Sequence, residues 1–213
     1  IVEVSHRISQ GILETAIDEQ ANFIILGREK NPMFLDRIYA SVIDTVLDEA
    51  PCEVAVLHGD LPEGVFKSIL IPFGENIHTR LAFEIAPAIA DYFKCKAEVA
   101  VVFEPETTVK QQDEQLKRIG ALVESSGLLA RVIVIKNKGI RQGIVQQSKS
   151  TDLIVMGGRS GEFFGLLLGQ SLTQEITEQS ACPVLWVNEY EEKPSLWKLL
   201  FSPVEKEVEE HHG

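Results

Sequence analysis

The sequence predicts an α/β protein: a doubly wound, five-stranded parallel sheet with helices on both faces, in tandem copies of which the first is incomplete. Three observations predict it. From residue 68 onward, short β-branched and leucine-rich runs alternate with stretches of helical period, and that alternation builds parallel sheets. The strand-like runs are apolar nearly throughout, as strands covered on both faces are. The opening stretch also matches a later one without a gap. Gly27 matches Gly157, Ser41 matches Ser171 and Cys52 matches Cys182, each pair 130 positions apart, which marks a repeat of domain size.

The elements follow in order. SILIPF (68–73) is a strand and HTRLAFEIAPAIADYFK (78–94) an amphipathic helix. EVAVVF (98–103) is a strand, and VKQQDEQLKRIGALVESS (109–126) is a helix with Gly127 at its end, where glycine relieves the left-handed turn that stops a helix. ARVIVIK (130–136) is a strand, IRQGIVQQSK (140–149) a helix and TDLIVMG (151–157) a strand. LLLGQSLTQEITEQS (166–180) is a helix and CPVLWVN (182–188) the closing strand. Five strands and four helices make one complete small domain.

The expected organisation is the C-terminal part of a first domain at 1–60, a linker at 61–67, a complete second domain at 68–188 and an acidic amphipathic tail at 189–213. The first copy runs from IVEVS to EVAVLHG as strand–helix–strand–helix–strand. It lacks its first strand, so the remaining strands are expected to show bare hydrogen-bonding edges. The missing strands are expected upstream in a longer protein, or from another chain. In the tail, SLWKLLFS spaces Leu196, Leu199 and Leu200 along one helical face, and this segment is expected to dock on the body of the protein or on a partner.

Composition excludes several classes. The net charge of −12 argues against nucleic acid as a partner, because phosphate backbones select basic patches. Apolar runs such as ARVIVI are too short to span a bilayer. Cys52, Cys95 and Cys182 lie in no metal-binding spacing, and neither do His6, His58, His78, His211 and His212. No GxSxG elbow occurs, and no enzyme activity is expected.

One motif invites a binding reading: GGRSGEFFGLLLGQS, 157–171, holds five glycines directly after a strand. Glycines let backbone N–H groups approach a phosphate, and a following helix turns its N-terminus to the anion. The candidate binding residues are Gly157, Gly158, Arg159, Ser160, Gly161, Gln170 and Ser171.

DLIVMGGRS…LLLGQSLTQEITEQSACPVLWV resembles the C-terminal half of universal stress protein domains, and SILIPFGENIHTRLAFEIAPAIA resembles their first strand and helix. ANFIILG and ASVIDTVLDEAPCEVAVL in the first copy do so too. The resemblance covers 1–58 and 68–188, and it implies a five-stranded parallel sheet with helices on both faces. Nucleotide-binding members of that family carry a Gly, two residues, a Gly, nine residues, then Gly followed by Ser or Thr. In this chain Gly157 and Ser171 fit, while Ser160 and Gln170 stand where glycines are needed. In the first copy Gly27 and Ser41 fit, with Lys30 and Ala40 at the glycine places. Binding members also end the first strand in an Asp, where this chain has Gly74. The resemblance therefore implies a degenerate loop and no cofactor, with weak ATP or AMP binding as the alternative.

The tandem arrangement is similar to the universal-stress-like domains fused behind amino-acid permeases and cation–chloride cotransporters. That resemblance implies a regulatory or assembly domain at the cytoplasmic face of the membrane. Its partners would be the transmembrane domain of the same transporter and a second copy joined through edge strands. The alternative is a free-standing cytoplasmic tandem stress protein.

Overall fold

The computed structural model describes residues 8–28, 36–61, 66–73, 79–158 and 172–190. The expected strand at the start of the chain, most of the glycine-rich stretch and the tail helix lie outside them. The described elements run α1 (Ile8–Asp18), β1 (Phe23–Arg28), α2 (Asp36–Glu49), β2 (Glu53–His58), β3 (Ser68–Pro72), α3 (Thr79–Phe93), β4 (Lys96–Phe103), α4 (Val109–Ser126), β5 (Ala130–Lys136), α5 (Ile140–Gln147), β6 (Leu153–Gly157), α6 (Leu172–Gln179) and β7 (Val184–Asn188).

The seven strands form one sheet in the order β1-β2-β7-β6-β3-β4-β5. Every neighbouring pair is parallel except β2 and β7, which run antiparallel. β2 and β7 are EVAVLH and VLWVN, the two closing runs that the repeat makes equivalent. They pair with Val56 opposite Trp186, Val54 opposite Asn188 and His58 opposite Val184. Positions 130 apart exchange places across that register, so the seam is symmetric about the Val56–Trp186 pair.

Successive side chains of a strand point to opposite faces, and each face has its own core. On one, Leu81, Phe83 and Ala86 of α3 and Ile119 of α4 pack with Ile69, Ile71, Val99, Val155 and Val187. On the other, Val46 of α2, Ile144 of α5 and Ile176 of α6 pack with Val56, Leu70, Ile154 and Trp186. Burying one such side chain stabilises the fold by about 1.5–3 kcal/mol.

Local chemistry fixes α4. Thr108 and Gln111 form a reciprocal capping box at its start, and Gly127 ends it at φ 68. Two findings depart from the sequence expectation. Phe66, inside the expected linker, is buried and stacks on Phe93 with ring centroids 4.6 Å apart. β5, expected to be covered on both faces, is an outer strand and leaves Val132 and Val134 partly exposed. The start of β3 is tied to β6 by Asp152, whose Oδ2 accepts the N–H groups of Lys67 (2.8 Å) and Ser68 (2.9 Å).

Candidate functional site: the switch point of the sheet

In a doubly wound sheet, ligands enter at the C-terminal ends of the strands where the winding reverses. Here the winding reverses between β3 and β6: β4 and β5 follow on one side, β7 on the other. β3 pairs with β4 along Ser68–Pro72 but with β6 only at Ile69–Leu153 and Leu70–Ile154. Beyond those pairs the two strands part. The Phe73 N–H donates to the Ala100 carbonyl at 2.8 Å, keeping the end of β3 with β4. The Gly158 N–H donates to the Val187 carbonyl at 3.2 Å, keeping the end of β6 with β7. The described residues at this switch point are Pro72 and Phe73 at the end of β3 and Gly157 and Gly158 at the end of β6.

Of the candidate binding residues, the structure places Gly157 as the half-buried end of β6 and Gly158 as the buried residue after it. Arg159, Ser160, Gly161, Gln170 and Ser171 lie outside the described residues, as do Lys30, Gly74 and His78. In the first copy, Gly27 is exposed on β1, and Ser41 stands as the sixth residue of α2. That is well into the helix and away from its N-terminal anion position.

Gly158 has a packing reason to be glycine. A Cβ built there would fall within the indole of Trp186, and Trp186 is wholly buried. At Gly158 the close approach is made by an aromatic ring. Arg80, near the start of α3 on the same rim, is also engaged. Its Nη2 lies 2.6 Å from Glu189 and its Nε 3.3 Å from Glu84. The hydrogen bond to Glu189, with the charges of Glu189 and Glu84, holds the guanidinium pKa above its ordinary value. Sequence spacing gave no signal for Trp186, Arg80 or Glu189, because the contacts that define them are long-range. Among the described residues, no group of three or more His, Cys, Asp or Glu could hold a metal ion. No described helix is long and apolar enough to cross a membrane.

Cys52 and Cys182 occupy matching places before β2 and β7 and are equally buried. Burial, and then the charge of Glu53, push the Cys52 thiol pKa up. A thiol held protonated is a poor nucleophile, which fits packing.

Residues 1–58 match the model of the Universal stress protein family. No curated protein sequence matches the chain. Among solved structures, a universal stress protein from Archaeoglobus fulgidus DSM 4304 is similar at TM-score 0.59 and 20% identity, over 87% of this chain and 66% of that one. A protein of unknown function from Pseudomonas aeruginosa PAO1 is similar at TM-score 0.57 and 15% identity, over 87% of this chain and 69% of that one. This chain thus spans about two thirds of the length of each. It has a fold that universal stress proteins have, and its first 58 residues match that family in sequence.

Proposed function

We propose that the chain is a non-catalytic regulatory and assembly module of a membrane secondary transporter, of the amino-acid permease or cation–chloride cotransporter type. It stands at the cytoplasmic face, and its partners are the transmembrane domain and a second copy. The observation that carries the non-catalytic, non-nucleotide reading is the Trp186 indole packed against Gly158. In the sequence, Ser160, Gln170 and Gly74 stand where the family's nucleotide-binding members have other residues. β2 and β7 pair with each other, so a second copy joining through edge strands would use β1 or β5, the outer strands of the sheet. The link to a transporter is carried by the tandem arrangement alone. Calorimetry with ATP–Mg and AMP tests the site: no heat of binding is expected, and a micromolar dissociation constant that Ser171→Ala raises would overturn the reading. The coding sequence ahead of residue 1 tests the transporter link. Apolar segments of about 20 residues there support it, and a short gene without them overturns it.

A second reading is a free-standing tandem universal stress protein binding ATP or AMP. The parting of β3 and β6 at their C-terminal ends favours it, since that is where such a fold opens a ligand crevice.

A further inference from the structure

Among the described residues, those of 8–58 repeat the layout of those of 140–188, and β1 and α1 carry no described element on their far side. β1 and β2 pair in the register of β6 and β7: Ile24 stands opposite Val54 as Ile154 stands opposite Val184. α1 opens on Ile8-Ser9-Gln10-Gly11-Ile12, and α5 on Ile140-Arg141-Gln142-Gly143-Ile144. The two halves differ on their far sides. β6 has β3 along its outer edge, whereas among the described residues β1 is the last strand of the sheet.

Three further positions show what β1 and α1 lack. At Gly143, α5 lies so close to the sheet that a Cβ would stand 3.1 Å from Val102 of β4 and Ile135 of β5. Gly11, its counterpart, instead lines a groove of about 500 Å³ with Ile8, Ile12, Ala16, Phe23 and Ile24. Ile25 is 65% exposed, while Val155, its counterpart under α3, is 0% exposed. Asn22 is exposed at the place of Asp152, whose carboxylate takes the two N–H groups at the start of β3.

We infer that β1 and α1 form the receiving surface for a β-α-β-α-β unit of the kind residues 66–136 form. The unit lies parallel along β1 and joins ahead of α1, as residues 66–136 join ahead of α5. Its first strand sets apolar residues opposite Phe23 and Ile24, as Ile69 and Leu70 stand opposite Leu153 and Ile154. The Asn22 amide oxygen accepts N–H groups at that strand's start. The helix after it covers Ile25, and the next two strands bring branched side chains up to Gly11. Other occupants fit less of the surface. A second copy adding its own β1 would satisfy the strand edge but leave the α1 groove and Ile25 open. The apolar tail segment 195–201 would cover Ile25 but bring no strand to the edge. The inference stands apart from the transporter reading.

The test is hydrogen exchange at the amides of Phe23–Arg28, in the 213-residue chain and in a chain with residues 66–136 appended ahead of residue 8. The appended unit is expected to slow the outward-facing β1 amides by about a hundredfold or more and to raise the melting temperature. If the appended unit folds and those amides exchange as before, the inference fails. It also fails if they are already slow in the 213-residue chain, whether protein concentration sets the protection or truncation after Tyr190 removes it. Those two outcomes would assign the surface to a second copy or to the tail. Should the extended chain not fold, the peptide FKSILIPF (66–73) added to the 213-residue chain decides the matter. Protection of β1 supports the inference, and none at millimolar peptide overturns it.

Discussion

At residue scale, the contact between Gly158 and Trp186 is matched in both directions. The positions 130 residues earlier hold Arg28 and Val56, so the half with the large indole carries the glycine, and the half with the smaller valine does not need one. Gly158→Ala is expected to cost about 1–3 kcal/mol by overpacking. Trp186→Val, which opens the room, should cost roughly 3 kcal/mol through its cavity. The double variant should lose less than the sum of the two in urea denaturation, because the added methyl then has space. Strict additivity would show that the ring does not hold the glycine in place. Gly27→Ala, with nothing within 4 Å of the added carbon, should change stability by no more than about 0.5 kcal/mol. Glycines at 157 and 158 were legible in the sequence as a close approach. What approaches was not, because the indole comes from a strand 28 residues further on. Cys52 adds a pH signature. Its folded pKa is raised above the ordinary 9.0, so its contribution is fully present below that value and lost as pH rises through the folded value. The stability gap between the native chain and Cys52→Ala should narrow above pH 9.0, and a gap constant across that range would contradict the assignment.

Among the elements, those with local punctuation were legible to the residue. α4 spans Val109–Ser126 as the sequence predicts, because Thr108, Gln111 and Gly127 each act within a few positions of the helix end. Thr108→Ala should cost about 1 kcal/mol. β5 also has the predicted bounds, yet its coverage was misjudged: an apolar run shows that a strand exists but not whether it ends the sheet. The burial of Phe66 within the expected linker was not legible for a related reason. Pro62 and Gly64 mark a turn, but the stacking of Phe66 on Phe93 crosses the whole of α3. Asp152 belongs with these long-range ties. It stands 84 positions from Ser68 and nevertheless fixes where β3 begins. Asp152→Ala leaves two backbone N–H groups without their carboxylate and should cost about 1–3 kcal/mol. Faster exchange at Lys67 and Ser68 would locate the damage, and unchanged exchange at both amides would show that the carboxylate is not their protector.

For the whole molecule, the seam between β2 and β7 decides how the chain unfolds. The repeat suggested two domains, and two domains joined by a linker could melt separately. The cores do not divide that way. One face joins Ala55 of β2 with Leu185 and Val187 of β7. The other joins Val54 and Val56 with Val184 and Trp186. β2 is thus buried by residues of both halves, and neither closing strand can leave without exposing apolar surface of the other. The chain should therefore lose β2 and β7 in a single transition, with only the outer α1–β1 margin opening at lower free energy. Trp186 sits at the centre of the seam and reports on it directly. The chain has two tryptophans, so Trp197→Phe leaves Trp186 as sole reporter. In that variant, the urea midpoint from Trp186 fluorescence should coincide with the midpoint from far-ultraviolet circular dichroism. Val56→Asp, opposite the indole, should lower both midpoints together, since it places an unpaired charge in a site with no exposure. If fluorescence shifts while a large part of the helical signal keeps its original midpoint, the halves are energetically separate and the seam is only a contact between two self-sufficient domains.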